Sequence, residues 1–478
     1  MFDQTRFGYQ SSCGAIASRL SRTRLYCDAV SEPLFVLQSR RVVAGGAIRP
    51  AAIHIRGDRV ERVADHGDVP AGAKLEDVGE LAILPGIVDT HVHLNEPGRT
   101  EWEGFSTATR AAAIGGVTTL VDMPLNSIPA TTTREAFAAK RAAAKGQCTV
   151  DVGFWGGVVP GNAGELAGMV ADGVRGFKCF LVDSGVAEFG WVGERDLRPA
   201  MGILANENVP LLVHAEVAGP IDAATAQLAK ANPCAYATYL ASRPPAAEEQ
   251  AIALVTGLCR ETRARTHIVH HSAATALGQL EAARAEGLPL TAETCPHYLH
   301  FTAEAIPDGA TAFKCSPPIR DAANREALWR ALASGILDFV ASDHSPCSPA
   351  LKALEAGDYM TAWGGVSGLQ LALSIVWTEA RARGHSLADI ARWMSANPAR
   401  LAGLTGTKGA IAAGHHADLV VFDDTATFTV TPDRVHHRHK VTPYAGETLT
   451  GVVHATYLRG TKIADRGTAI ATERGHLL

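Results

Sequence analysis

Over residues 84–404 short apolar runs alternate with alanine-rich helical stretches, and the alternation repeats eight times. The runs are 83–88, 117–123, 150–159, 176–182, 210–214, 266–270, 289–294 and 336–342. Between them, 106–114, 134–145, 247–262, 274–286 and 324–334 carry helical spacing. Strands buried on both faces read as unbroken apolar runs, and parallel neighbours need helical crossovers. Eight such units in succession predict a closed (β/α)8 barrel of the TIM type, an α/β architecture. An open doubly wound sheet is the other solution. It carries its chemistry on a Gly-x-Gly-x-x-Gly turn after a strand, and none of the runs is followed by one.

The two chain ends read differently. Residues 35–37, 41–43, 52–55 and 60–63, and again 418–422, 427–430, 451–458 and 461–464, form short runs with period-two character between glycines and aspartates. That is the texture of an antiparallel sheet. The simplest arrangement is one small β-domain built from both ends, 34–83 and 405–470, beside a barrel over 84–404. Residues 1–33 fit neither part, being rich in Ser and Arg and lacking the apolar core of a secretory signal. They are expected to be a disordered leader or the product of an upstream start codon, with an amphipathic transit peptide as the other reading.

The net charge of −5 comes without a basic block, which gives nucleic acid or an anionic membrane no electrostatic hold. No apolar run approaches the ~18 residues of a membrane helix. The nine cysteines include no Cys-x-x-Cys pair. An odd, scattered set reads as reduced thiols, hence a cytoplasmic protein.

A barrel of this kind gathers its chemistry at the C-terminal ends of its strands. The first run ends in Asp89-Thr90-His91-Val92-His93, the fourth carries Lys178, the fifth ends in His214-Ala215-Glu216, the sixth in His270-His271 and the eighth in Ser342-Asp343-His344. In an extended strand i and i+2 point to one side, so His91 and His93 converge. His214 and His270 offer two further nitrogens and Asp343 a carboxylate. This donor set suits Zn²⁺, and also Co²⁺, Mn²⁺ or Fe²⁺. Lys178 fits if burial beside cations leaves its amine neutral. A neutral amine can add carbon dioxide, giving a carbamate able to bridge two metals. His267 falls on the other side of its strand and reads as structural. His271 and His297 read as neighbours of the ligands, and Cys179, Cys315 and Cys347 as wall or core residues.

The stretch Gly86-Ile87-Val88-Asp89-Thr90-His91-Val92-His93-Leu94-Asn95-Glu96-Pro97-Gly98 resembles the opening signature of the cyclic amidohydrolases, within the amidohydrolase superfamily. The resemblance spans residues 34–466 and is closest to the allantoinases. It is carried further by Met123-Pro124-Leu125-Asn126, Gly176-Phe177-Lys178-Cys179-Phe180, Lys314-Cys315-Ser316-Pro317-Pro318-Ile319-Arg320, Ser342-Asp343-His344-Ser345-Pro346-Cys347 and Ala362-Trp363-Gly364-Gly365. It implies a β-sandwich beside the barrel, often a homotetramer, and two divalent metals per subunit. His91, His93 and Asp343 would hold one metal, His214 and His270 the other, with carboxylated Lys178 (N6-carboxylysine) as the bridge. It implies Asp343 as the catalytic base and then acid, and a cyclic ureide substrate held near Ser316 and under the loop at Gly365. Dihydroorotases usually carry Arg where this chain has Asn95. A neutral amide there suits allantoin better than an anionic ring. Hydantoinase, dihydropyrimidinase or dihydroorotase activity is the alternative within enzymes, and a catalytically dead scaffold the alternative outside them.

Overall fold

The computed structural model describes residues 33–471 and 473–478, so the expected leader lies, except for Pro33, outside the described residues. Five strands open the chain: β1 (Leu34–Ala44), β2 (Ala47–Arg56), β3 (Arg59–Ala64), β4 (Lys74–Asp77) and β5 (Ala82–Pro85). The middle supplies β6 (Ile87–Val92), β7 (Val117–Asp122), β8 (Asp151–Phe154), β9 (Gly156–Gly157), β10 (Phe177–Phe180), β11 (Leu211–His214), β12 (Thr266–Ile268), β13 (Leu290–Thr294) and β14 (Phe339–Val340). Four more close it: β15 (Leu419–Thr429), β16 (Thr448–Leu458), β17 (Thr461–Asp465) and β18 (Thr468–Ala469).

The middle strands form the barrel. β6, β7 and β8 pair in parallel, as do β9 to β14 in sequence. A parallel bridge between Val92 and His344 joins the two ends, with His93 N–H donating to His344 O at 2.8 Å. The run at 150–159 is thus two strands. They part at Trp155, whose indole turns inward and donates to Thr90 O at 2.8 Å. β9 is a pair of glycines because a Cβ at either would meet the ring of Phe177 or Phe189. Helices such as Phe105–Ile114, Arg134–Ala144, Pro245–Thr262, Leu277–Ala285 and Ala322–Ser334 make the crossovers.

The first apolar run also divides. Pro85 and Gly86 break it, and its first half is β5, which pairs antiparallel with β15 and parallel with β1. A Cβ at Gly86 would collide with Thr118, so only glycine lets the chain pass there from one sheet to the other. The end segments form one nine-stranded sheet in the order β18-β17-β16-β15-β5-β1-β2-β3, with β4 also on β1. It is mixed rather than purely antiparallel, because β4 and β5 both run parallel to β1. Phe35 of β1 and Tyr457 of β16 lie three strands apart in that order, yet their ring centroids are 6.0 Å apart. A flat sheet would separate them by about 14 Å. The sheet therefore curls over its own apolar face, enclosing Leu37, Ile53, Ile55, Leu419, Val421 and Tyr457. Buried Lys408 ties it to the barrel, 2.5 Å from Asp151 on β8 and 2.6 Å from Asp418 before β15.

Candidate active site

Strand ends carry the site. His91 lies on β6 and His93 one residue past it, Lys178 on β10, and His214 closes β11. His270 stands two residues beyond β12 and Asp343 three beyond β14. All six are buried and line one cavity of about 450 Å³. His270 (φ 39°) and Asp343 (φ 46°) sit in the left-handed region, as does Asn95 (φ 64°). Such backbone costs on the order of 1–3 kcal/mol and concentrates where a side chain must be aimed.

Three of the four imidazoles are oriented from behind. His91 Nδ1 bonds Glu293 Oε1, His93 Nδ1 donates to Leu125 O at 3.2 Å, and His214 Nε2 lies 2.8 Å from Glu216 Oε2. These bonds leave lone pairs on His91 Nε2, His93 Nε2 and His214 Nδ1. The first two face Asp343 Oδ1 at 3.2 and 3.6 Å, and the donor atoms of His91, His93 and Asp343 fall within 4.8 Å of one another. His214 Nδ1 faces His270 Nε2 at 2.9 Å. His91 Nε2 is buried without a hydrogen-bond partner among the described residues, which suits a nitrogen meant for a cation. The set of neutral nitrogens and a carboxylate fits a divalent metal centre.

Electrostatics agree with that polarity. Burial lowers His93, His214 and His270, most strongly His93 and His270, and favours their neutral form. Burial opposes ionisation of Glu293 and Glu216, but His91 and His267 beside Glu293, and Arg243 and His214 beside Glu216, outweigh it and hold both at about 2. Lys178 is brought down to about 8 by burial, against the pull of Asp343 and Glu293. Its Nζ stands 5.1 Å over the Phe180 ring, which stacks on His214 at 4.5 Å.

Ser316 and Gly365 line the cavity. Asn95 does not. Its left-handed turn directs the amide away from the wall, toward Pro346 O at 3.1 Å and Asn126 Nδ2 at 3.0 Å, and Asn126 is the one that lines the cavity. His267 is structural, bonded to Thr291 Oγ1 and Glu293 Oε2 and stacked on Phe339. His297 is fully buried and falls with Cys295 within 4.8 Å of Asp343. His271 is buried outside the cavity lining.

Sequence reading missed Glu216, Glu293, Arg243 and Tyr239. Glu216 has a signal, since i+2 from His214 it points to the same side. Glu293 has another: an acid inside an apolar strand needs a partner to be buried. Arg243, 2.6 Å from Glu216, follows the helix Tyr236–Ser242 as its C-terminal cap, a position with no local pattern to mark it.

Gly365 is held at φ +138°, and a Cβ there would run into Ser345 O. Ser345 in turn donates to Asp343 Oδ1 at 2.8 Å. Gly365→Ala is expected to cost on the order of 1–3 kcal/mol, to lower the melting temperature and to reduce turnover by displacing Asp343. Unchanged melting and turnover would show that the loop absorbs the methyl group.

The Amidohydrolase family profile matches residues 82–463. Allantoinase of Streptomyces avermitilis is 50% identical over 450 residues, covering 94% of this chain and 99% of that one. Allantoinase of Saccharomyces cerevisiae is 45% identical over 441 residues, 90% and 95% of the two chains. Among solved structures, L-hydantoinase (dihydropyrimidinase) from Arthrobacter aurescens superposes with a TM-score of 0.88 at 29% identity, covering 94% of this chain and 99% of that one. The chain belongs to the amidohydrolase family, a family of divalent-metal hydrolases, and within it to the allantoinases.

Proposed function

We propose that this chain hydrolyses the hydantoin ring amide of allantoin to allantoate, a step of purine (ureide) catabolism, with Asp343 as general base and then acid. The observation that carries the reading is the convergence of His91, His93, Lys178, His214, His270 and Asp343 on one buried cavity, in a chain half identical to an allantoinase. His91, His93 and Asp343 are proposed to hold one Zn²⁺, and His214 and His270 the other. Lys178, carboxylated on Nζ, would be the bridge. Carboxylation joins the amine nitrogen to the carbon of CO2 and releases a proton. When bound, the two ions supply Lewis acidity and lower the pKa of water toward neutrality.

The residues then have defined tasks. Glu216 and Glu293 fix the tautomers of His214 and His91. Main-chain groups at Ser316 and the Gly365 loop hold the ring in place. Asp343, kept in place by Ser345, takes the proton of the attacking water and returns it to the departing ring nitrogen. A homotetramer in the cytoplasm, free of nucleic acid and membrane partners, is the proposed setting. No helix among the described residues is long and apolar enough to cross a membrane.

Metal-replete protein assayed side by side with allantoin, hydantoin, dihydrouracil and dihydroorotate tests the reading. Allantoin should be turned over fastest. Faster turnover of hydantoin or dihydrouracil would shift the assignment to the hydantoinase type, which the structural match to L-hydantoinase makes the second reading. About two metals per purified chain are expected, and none would support a scaffold. Glu293→Gln, which removes the charge behind His91, should weaken metal binding about 10–100-fold in a chelator titration. Unaltered affinity would show that His91 needs no carboxylate.

A further inference from the structure

We infer that two hydrogen-bond relays, each anchored on a main-chain carbonyl, make Ser316 Oγ and Asn126 Oδ1 acceptors toward the cavity. The site thereby selects a ring substituent rich in N–H groups over one bearing a carboxylate. This deepens the allantoinase reading and rests on it.

The first relay runs through Tyr239. Its hydroxyl oxygen is 2.7 Å from Cys315 O and 2.8 Å from Ser316 Oγ. A carbonyl oxygen only accepts, so the single phenolic hydrogen goes to Cys315. The phenolic oxygen is then the acceptor, and Ser316 must donate to it. With its hydrogen spent, Ser316 Oγ turns only lone pairs to the cavity it lines. Tyr239 cannot swing away. It is buried, its ring is near-parallel to that of Tyr359 at 6.0 Å, and Lys314 Nζ stands 5.2 Å over its face.

The second relay starts at Pro346 O, which takes Asn95 Nδ2–H at 3.1 Å. Asn95 Oδ1 is thereby turned to Asn126 and accepts Nδ2–H from it at 3.0 Å. Among the described residues nothing donates to Asn126 Oδ1, and Asn126 lines the cavity. Asn95 is thus a positioning residue, acting on the ligand through Asn126. Of the cations on the wall, Arg243 has its charge balanced by Glu216 at 2.6 Å, and Lys314 is turned to Ala362 O at 2.5 Å. A ureido group offers several N–H donors to the two acceptors. A carboxylate sets lone pairs against those of Ser316 Oγ and Asn126 Oδ1, and of these two residues only the second Nδ2 hydrogen of Asn126 is left to meet it.

The metal-loaded enzyme tests this with allantoin and hydantoin-5-acetate as competing ligands. Wild type is expected to prefer allantoin by about tenfold, the discrimination of one hydrogen bond. Tyr239→Phe keeps the ring but frees the Ser316 hydrogen, and the preference should fall more than about threefold. Ser316→Ala removes the acceptor and should lower it by a similar factor, raising KM for allantoin more than it lowers kcat. A wild-type preference below threefold, or one that Tyr239→Phe leaves within threefold, overturns the inference. If Tyr239→Phe does not fold, Ser316→Ala is judged by the same threshold. Wild type that does not turn over allantoin at all overturns the functional reading instead, and that is read before any variant is made.

Discussion

Asp343→Asn is expected to keep its metal and lose turnover by about 10²–10⁴-fold, the usual contribution of a positioned general acid–base. That is roughly 3–5 kcal/mol of barrier. The amide has the shape of the carboxylate and keeps one carbonyl oxygen. That oxygen can still accept from Ser345 Oγ, now at 2.8 Å, and still face His91 Nε2 and His93 Nε2. What it loses is the ability to take and return a proton. The loss should therefore fall on kcat, with KM for allantoin little changed. Metal content by elemental analysis and turnover on the same sample separate the two roles given to Asp343. Near-normal turnover would remove it as the base. Loss of both metals would show that its charge is needed for binding and would leave its proton role to be measured at saturating metal, where a 10²-fold deficit must persist.

How far these roles were legible depended on whether they lay in local spacing or in tertiary packing. His91 and His93 are legible because a strand repeats every two residues, and the pair is buried where that predicts. The eight-unit alternation likewise gave the barrel, since buried parallel strands leave no polar face to confuse the pattern. The errors came where one apolar run served two sheets. Residues 83–88 read as a single strand, yet Pro85-Gly86 hands the chain from the curled β-sheet to the barrel. Residues 150–159 conceal a similar break at Trp155. Asn95 was placed against the substrate from its position in the motif, but its φ of 64° turns it to Asn126 and Pro346. A left-handed φ at a non-glycine is a tertiary outcome that period and propensity do not encode. The Tyr239–Ser316 pair is 77 residues apart and Glu293–His91 is 202. No local pattern joins either. The carboxylates behind the histidines were the more recoverable, because an ionised side chain within an apolar strand implies a partner.

Lys178→Ala is expected to abolish turnover by preventing the two-metal centre from assembling, and here the argument depends on burial more than on sequence. Lys178 lies on β10 between Gly157 of β9 and Leu212 of β11, and is 1% exposed. Burial brings its amine to about 8 against the pull of Asp343 and Glu293. At pH 7.5 roughly a quarter of such an amine is neutral, against about one in a thousand for a free lysine. Only the neutral form adds to CO2, so the same burial that makes a lysine costly at this position makes it reactive. Alanine removes the nitrogen and with it any bridging carboxylate. The four histidines and Asp343 then remain as the proposed donors, and two cations would face each other with no bridging anion between them. Purified Lys178→Ala should carry well under two metals per chain, with circular dichroism unchanged because the vacated volume opens on the cavity. Wild type stripped by chelator and freed of CO2 should need both metal and bicarbonate to recover, whereas the variant should recover with neither. Full two-metal occupancy in Lys178→Ala, or recovery of wild type that is indifferent to bicarbonate, would show that the lysine is no bridge.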